Sequence, residues 1–216
     1  MNTEMLKTVS LFQGMNESEL HACLDALQAH VQHCRRGRLL LCAGDTAPGI
    51  GIVLSGSITI EQSTLPGDLS VLSHVGSGGI FAETYALLQT VPLMVDVRAN
   101  EDCEILWLAV RSLYGNGSWQ NKLNVNLLKV CAGKNLALSE RSFHTAPKTI
   151  RARVLSYLSA EALRRRSNDF EIPFSRQQLA DYLNVERTAL SKELGKMQKD
   201  GLIQFRGRRF RLCMHD

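Results

Sequence analysis

The sequence predicts an α+β chain in which an N-terminal antiparallel β-roll of jelly-roll type is followed by a long helix and a C-terminal winged helix-turn-helix. Three observations carry this prediction. Short apolar stretches punctuated by glycine fill residues 39–110, a long segment without proline covers residues 118–143, and residues 174–194 have the pattern of two helices joined by a tight turn. The 216 residues are enough for two small domains.

The β region has turn signals at close intervals, among them Gly44-Asp45 and Ser55-Gly56. This spacing is typical of a small antiparallel sandwich or barrel. Residues 57–61 alternate polar and apolar side chains, which predicts a strand with one solvated face. The apolar stretches predicted as strands are residues 39–41, 52–54, 58–60, 69–72 and 105–108.

Two helices flank the β region. Residues 17–31 have apolar side chains at helical spacing, with Asn16 or Ser18 as the N-cap, and predict a short amphipathic helix. Residues 118–143 have more apolar positions than packing on one small domain requires, so we expect this helix to pair with its copy in a second subunit. The alternative is a helix that packs wholly on its own domain.

The basic charge lies entirely in the C-terminal part of the chain. Residues 1–146 contain ten Lys or Arg against thirteen Asp or Glu, a net charge of −3, whereas residues 147–216 contain fifteen against eight, a net charge of +7. Such an excess suits a polyanion binder, because each neutralised phosphate releases counterions. A solvated basic surface is the alternative. Pro147 excludes the helical conformation for the residue before it and marks the boundary.

Residues 174–194 carry the most informative motif. Ser175 and Gln178 form a capping box that starts a helix at Arg176, and Asn184 suits a left-handed residue in the turn. The alternative is an ordinary helical hairpin with a wet polar face. The side chains left exposed near the start of the second helix, where they can reach base edges, are Arg187, Thr188, Ser191 and Lys192.

Two short strands around an Arg-Gly-Arg turn follow this motif and predict a wing. Phe205, Phe210 and Leu212 are expected to face inward. Together with the charge imbalance, the wing predicts binding to double-stranded DNA. The predicted backbone contacts are Arg206, Arg208, Arg209 and Arg211, and Arg176 is a further predicted DNA contact.

The chain resembles the CRP/FNR superfamily of transcription regulators over essentially its full length. The resemblance rests on Gly44-Asp45 and residues 53–58 of the β region, residues 134–138 of the long helix, and residues 172–183. It implies a homodimeric regulator that binds a near-palindromic operator and acts with RNA polymerase. The implied domains are a cyclic-nucleotide-binding-like effector domain over 1–117, a dimerisation helix over 118–146 and a winged helix-turn-helix over 147–216.

The resemblance does not extend to a cyclic AMP site. Glu83 matches the residue that contacts the ribose in the family, but Leu93-Met94 stands where an Arg-Ser pair would hold the phosphate. Leu136 and Ala137, which fall roughly where the resemblance implies that the long helix offers hydroxyls to the base, are also apolar. Because apolar side chains cannot neutralise a phosphodiester, we predict that cyclic AMP does not bind. The predicted effector pocket, lined by Phe81, Glu83, Leu93, Met94, Val95 and Leu136, is expected either to take a hydrophobic small molecule or to be packed shut.

No cofactor is predicted. Cys23, Cys34 and Cys42 are too widely spaced for the family's iron-sulfur cluster, and His74 is the only histidine of the β region that could bind haem. We expect the six scattered cysteines to be reduced and to act as small apolar residues. A cupin-type metalloenzyme is the rival class, but the clustered His and carboxylate ligands it needs are missing. Without a signal peptide or a membrane span, the protein is expected to be soluble and cytoplasmic.

Overall fold

The chain folds into two compact units. A computed structural model describes residues 3–63, 69–113 and 115–213. The units are Met1–Ala132 and Gly133–Asp216, so their boundary lies within the long helix. The N-terminal antiparallel sheets, the long helix and the C-terminal helix-turn-helix confirm the predicted fold class. The division into three functional domains stays a prediction.

The described residues of the first unit contain eight strands in two antiparallel sheets. One sheet has the strand order β1-β8-β3-β6 and the other has the order β2-β7-β4-β5. The five predicted strands all form. Strands β1, β6 and β7 were not predicted, because β1 overlaps the helix predicted over residues 17–31 and because β6 and β7 have only 2 and 4 residues. The strands are β1 His30–Cys34, β2 Leu39–Leu41, β3 Ile50–Ser55, β4 Ser57–Ser63, β5 Leu69–Gly76, β6 Ile80–Phe81, β7 Asp96–Ala99 and β8 Cys103–Leu108.

Residues 105–108 of strand β8 are buried on both faces, which explains their unbroken apolar sequence. Ile105 and Trp107 belong to the core between the two sheets, together with Val97 of β7. Leu106 and Leu108 belong to a second core, formed with the helices of this unit. The sheet that contains β8 is therefore the middle layer of the unit.

The helices of the first unit lie before the strands, between β6 and β7, and after the strands. Asn16 caps α2 through a capping box with Glu19. The prediction that this helix continues to Val31 is wrong, because Gln28 takes a left-handed conformation (φ 49°) and Val31 pairs with Leu106 in β1. The helices are α1 Thr3–Thr8, α2 Glu17–Ala26, α3 Glu83–Leu88 and the first part of α4 Ser118–Thr145.

Helix α4 is 28 residues long and has two faces. Leu123 and Leu127 are buried in the core of the first unit. Val125, Leu128 and other apolar residues of this helix are exposed. Among the residues that the structure describes, no helix combines the length and the apolar composition needed to cross a bilayer.

The second unit packs three helices on a small antiparallel sheet with the order β10-β11-β9. Leu179, Leu190, Leu194 and Phe210 are almost completely buried in its core. The elements that follow α4 are α5 Ile150–Arg165, β9 Asp169–Glu171, α6 Arg176–Tyr182, α7 Arg187–Lys199, β10 Ile203–Arg206 and β11 Arg209–Leu212.

Candidate nucleic-acid interface

The helix-turn-helix is built as its sequence predicts. The Ser175 hydroxyl accepts a hydrogen bond from the Gln178 backbone N–H at 3.3 Å, and the Gln178 side chain accepts one from the Ser175 N–H at 2.8 Å. This capping box starts α6 at Arg176. Asn184 occupies the turn with φ 52°, the left-handed conformation predicted for it. Leu183, just before the turn, is buried, which helps to fix the direction of α7 relative to α6.

Helix α7 presents one polar side to solvent. Leu190, Leu194 and Met197 are fully buried on its other side. With about 100° of rotation per residue, the four exposed side chains at residues 187, 188, 191 and 192 span about 140° of the helix circumference. The structure brings together the four side chains predicted to reach base edges, all of them exposed: Arg187, Thr188, Ser191 and Lys192.

Glu186 starts this helix, a role that the sequence analysis missed. Its carboxylate accepts hydrogen bonds from the Thr188 backbone N–H at 3.2 Å and from the Thr188 hydroxyl at 2.8 Å. These two bonds lower the pKa of Glu186. The Thr188 hydroxyl is thus already engaged, and it must release Glu186 before it can donate to a base. An acidic residue directly before a helix was the available signal.

Arg187 stands at the first position of α7, where helix geometry alone disfavours it. The N-terminal end of a helix carries partial positive charge, so a cation there is unfavourable by about 0.3 to 1 kcal/mol. Arg187 and Lys192 form no ion pair with any residue in the described part of the chain. Their charges are therefore available to a ligand and contribute nothing to the stability of the helix.

The β10–β11 hairpin forms the predicted wing around Gly207, which has φ 61°. Phe205 and Phe210 are cross-strand partners on its inner face, with ring centroids 5.6 Å apart. Arg206 and Arg211 lie on its exposed face. No ion pair involves either of them within residues 3–63, 69–113 and 115–213.

Two of the predicted backbone contacts already have acidic partners on β9. Arg209 bonds the Asp169 carboxylate at 2.7 Å, and Arg208 lies 3.1 Å from the Glu171 carboxylate. The bond from Arg209 lowers the pKa of Asp169. These two arginines therefore position the wing, and they present less uncompensated charge than Arg206.

Arg176 also has a structural role. Its guanidinium lies over the rings of Phe205 and Phe210, at 4.9 and 5.6 Å from their centroids, and its Nη2 reaches the Gly207 carbonyl at 3.5 Å. Burial lowers the pKa of Arg176. Such cation–π contacts contribute about 0.5 to 2 kcal/mol. Arg176 thus ties α6 to the wing, and its contact with DNA stays a prediction.

Two further arginines, not singled out from sequence, brace the motif from α5. Arg153 donates to the carbonyls of Leu183 and Asn184 at 3.1 and 2.9 Å, which holds the turn. Arg151 bonds Glu193 and Asp200, both at 2.7 Å, which holds α7. Part of the basic excess of the C-terminal region is therefore structural.

The comparisons with known proteins agree with this architecture. The family model of the Crp-like helix-turn-helix domain matches residues 152–216. The family model of the cyclic nucleotide-binding domain matches residues 31–114. The chain belongs to the CRP/FNR family. It is a CRP-like transcriptional regulator, as the resemblance predicted.

Individual CRP-like regulators match most of the chain. "Probable transcriptional regulator flp" of Lacticaseibacillus casei is 24% identical over 204 residues, which are 94% of this chain and 91% of that relative. "CRP-like protein Clp" of Xanthomonas oryzae pv. oryzae is 27% identical over 176 residues, 76% of each chain. The solved structure of CLP from Xanthomonas campestris, described as c-di-GMP responsive, has a TM-score of 0.53 at 20% identity, over 93% of this chain and 100% of that one. At this identity the structural match concerns the fold alone.

In this CRP/FNR-family chain, the end of α4 is joined to α6. Arg141 donates to the carbonyls of Asp181 and Tyr182 at 2.9 and 3.1 Å, which caps the C-terminal end of α6. His144 Nδ1 and the Tyr182 hydroxyl are hydrogen-bonded at 2.9 Å. These contacts lie within the second unit and hold the last turns of α4 against the helix-turn-helix.

Tyr157 lies in the same aromatic cluster, but its buried hydroxyl has no hydrogen-bond partner among the described residues. We predict that Tyr157→Phe leaves the free energy of unfolding unchanged or raises it by up to about 1 kcal/mol, because the unpaired hydroxyl pays a desolvation cost without a bond. Tyr182→Phe, which loses the bond to His144, is expected to lower it by about 1 kcal/mol. Urea unfolding of both variants measures the difference, and a larger loss for Tyr157→Phe would contradict this prediction.

The residues of the predicted effector pocket occupy different environments. Phe81 and Leu93 are buried in the core between the sheets, and a Cβ at Gly51 would overlap the Phe81 ring. Glu83 is buried at the first position of α3. Met94 is 66% exposed, and Leu136 is 61% exposed and belongs to the second unit. A pocket at these residues stays a prediction.

His74, the histidine considered as a haem ligand, has a hydrogen-bond partner within the fold, and the possible metal ligands among the described residues are not clustered. His74 Nδ1 is hydrogen-bonded to the Thr59 hydroxyl at 2.9 Å, which places this histidine in a polar contact between β4 and β5. Within the part of the chain that the structure describes, no three His, Cys, Asp or Glu side chains come together as a metal site.

Proposed function

We propose that this chain is a sequence-specific regulator that binds double-stranded DNA with helix α7 in the major groove. The observation that carries the proposal is the exposed side of α7, where Arg187 and Lys192, which have no ion pair among the described residues, lie close to Ser191. The other side of the helix is buried. Arg187 and Lys192 are suited to paired bonds with guanine, and Ser191 is suited to a base or a phosphate. Arg206 and Arg211 are suited to the phosphate backbone, with Arg208, Arg209 and Arg176 holding the wing against it.

A homodimer would present this helix twice to a near-palindromic operator. Exposed apolar residues of α4 support the pairing: with about 100° per residue, Val125, Leu136 and Phe143 fall within about 20° of one another and Leu128 about 60° away. This stripe lies opposite Leu123 and Leu127, which face the core. A two-fold operator is bound by two subunits, so we assign the apolar stripe to contact with the same helix of a second copy of the chain.

Selection of bound duplexes from a random pool tests the proposed function directly. We expect enrichment of a near-palindromic sequence, and binding that weakens by several orders of magnitude between about 50 and 200 mM salt. Single-stranded DNA and RNA of the selected sequence are the controls. Failure to enrich any duplex at low ionic strength, or equal binding to the controls, would refute the proposal.

The effector is proposed to be a molecule other than cyclic AMP. Residues 84–97 contain no Lys or Arg, and Arg98, the next cation, is bonded to Glu61 at 2.8 Å. A buried phosphodiester would therefore lack a cationic partner from this segment, at a cost of several kcal/mol, on the order of a thousandfold in affinity.

Calorimetric titration of the purified protein with cyclic AMP is expected to give no saturable heat at micromolar concentrations, because the phosphate would be buried without a cationic partner. Binding of the selected duplex by the same preparation serves as the control for folding. A micromolar dissociation constant for cyclic AMP would contradict the prediction.

The remaining assignments follow from the family and from DNA binding. A hydrophobic small molecule is the effector class that the apolar segment around Leu93 favours, and RNA polymerase is the expected protein partner. Because the target is chromosomal DNA, the expected compartment is the cytoplasm.

A further inference from the structure

Two cysteines face each other at the end of the β1–β8 ladder. Cys34 and Cys103 are direct partners in the antiparallel register. Direct antiparallel partners have Cα atoms about 4.5 to 5.5 Å apart. A disulfide spans Cα distances of about 4.4 to 6.8 Å. The register therefore brings the two cysteines to a Cα separation within the range that a disulfide spans.

The loops next to this pair are fixed on both sides. The Arg36 backbone N–H donates to the Asp102 carboxylate at 2.8 Å, and the Gly37 N–H donates to the Ala99 carbonyl at 2.8 Å. Gly56 packs so closely on Cys103 that a Cβ there would overlap the cysteine. The proximity of the two cysteines is thus fixed by the folded structure and requires no rearrangement of a loop.

A cleft of about 630 Å³ opens at this end of the sheet and gives solutes access to the pair. The cysteines retain 3% and 4% of their surface exposed. The residues that line the cleft are His33, Cys34, Arg35, Arg38, Ser55, Asp102, Cys103 and Glu104.

The two thiols have different electrostatic surroundings. Burial raises the pKa of both, but the positive charge of Arg38 partly offsets this for Cys34. Burial, followed by the neighbouring Cys34 and the carboxylates of Asp102 and Glu101, raises the pKa of Cys103 to about 11. Because the thiolate is the nucleophile and a nearby cation favours it, the position of Arg38 makes Cys34 the better nucleophile of the two.

We propose that Cys34 and Cys103 form a redox-sensitive dithiol site whose oxidant is a hydroperoxide. The Cys34 sulfur attacks the O–O bond, which gives a sulfenic acid on Cys34 and releases the alcohol, with the thiol proton passing to the alkoxide. The Cys103 sulfur then attacks the Cys34 sulfur, so that the S–S bond forms and the hydroxyl leaves as water with the second thiol proton. Two electrons pass from the thiols to the peroxide, and a low-molecular-weight thiol reverses the reaction by exchange.

The test is peptide mapping of the reduced full-length protein after treatment with tert-butyl hydroperoxide. Remaining thiols are alkylated, and tryptic peptides are analysed by mass spectrometry, with fragment ions to separate Cys34 from Cys23. We expect a linked peptide that joins Cys34 to Cys103, lighter by two hydrogen atoms than the two separate peptides. Dithiothreitol should restore alkylation at both cysteines. Full alkylation of both after treatment that oxidises Cys42, or a linkage between other cysteines, would overturn the proposal.

Cysteine variants provide the matched controls. Cys42→Ser removes a partly exposed thiol outside the pair and is expected to leave the linked peptide unchanged. Cys34→Ser is expected to abolish it. A linked peptide that contains Cys103 and persists in Cys34→Ser would also overturn the assignment. Mapping of the unaltered protein tests the pair even if this variant does not fold.

Discussion

Replacing Leu136 with Glu is expected to convert the proposed dimer into a monomer and to lower operator affinity by on the order of a hundredfold. Leu136 lies on the exposed apolar stripe of α4 and is 61% exposed in the single chain. In a two-fold interface, a substituted residue appears on both sides. The variant therefore removes two apolar contacts and buries two carboxylates, and an unpaired buried charge costs several kcal/mol.

Leu138→Glu is the matched control for this experiment. Leu138 lies on the same helix and is 67% exposed, but it points about 200° away from Leu136 around the helix axis. It should leave the oligomeric state and operator affinity nearly unchanged. Both variants add one negative charge to the same segment of α4, so any difference between them reports the face that is used.

Sedimentation velocity at micromolar concentration and binding to a full operator and to a single half-site measure the two effects. Leu136→Glu should bind the half-site as the unaltered protein does, which shows that its second unit is folded. A Leu136→Glu variant that stays dimeric, or equal dissociation of both variants, would contradict the assigned dimer face.

Arg187→Ala is expected to weaken binding to the selected operator by about 1 to 3 kcal/mol, roughly 5- to 150-fold. Arg187 is exposed at the first position of α7 and has no ion pair in the described residues, so its loss leaves no internal contact broken. Its removal from the positive end of the helix dipole should even raise stability slightly. A loss of affinity in a variant whose unfolding midpoint is unchanged therefore reports a lost contact with DNA.

Two further variants separate base recognition from charge. Lys199→Ala removes one positive charge from the opposite end of the same helix and should change affinity little. Arg206→Ala should weaken binding to all duplexes about equally and reduce the salt dependence by about one phosphate contact. Competition assays with the operator and with scrambled duplex distinguish these outcomes. An equal loss on both duplexes for Arg187→Ala would make Arg187 a phosphate contact.

The proposed DNA surface uses only part of the basic charge of residues 147–216. Arg151 is bonded to Glu193 and Asp200, and Arg209 to Asp169, so these arginines stabilise the second unit. The salt dependence of DNA binding should accordingly be lower than the net charge of +7 on residues 147–216 would suggest.

The sequence by itself determined features that depend on a few neighbouring residues. Ser175 and Gln178 are three positions apart, so their capping box, and with it the start of α6, could be predicted. Asn184 is one of the few residue types that tolerate the left-handed turn, and it takes that conformation. The exposed side of α7 followed in the same way from the spacing of Leu190 and Leu194.

Only the tertiary structure decided which polar and sulfur groups meet across the fold. Arg176 lies over Phe205 and Phe210, and Cys34 opposes Cys103, although each contact joins residues far apart in the sequence. Such contacts depend on strand register and on helix packing, which are set by the whole core and leave no local signal. For the same reason, the sequence could predict that the second unit is basic but not which of its arginines remain available for DNA.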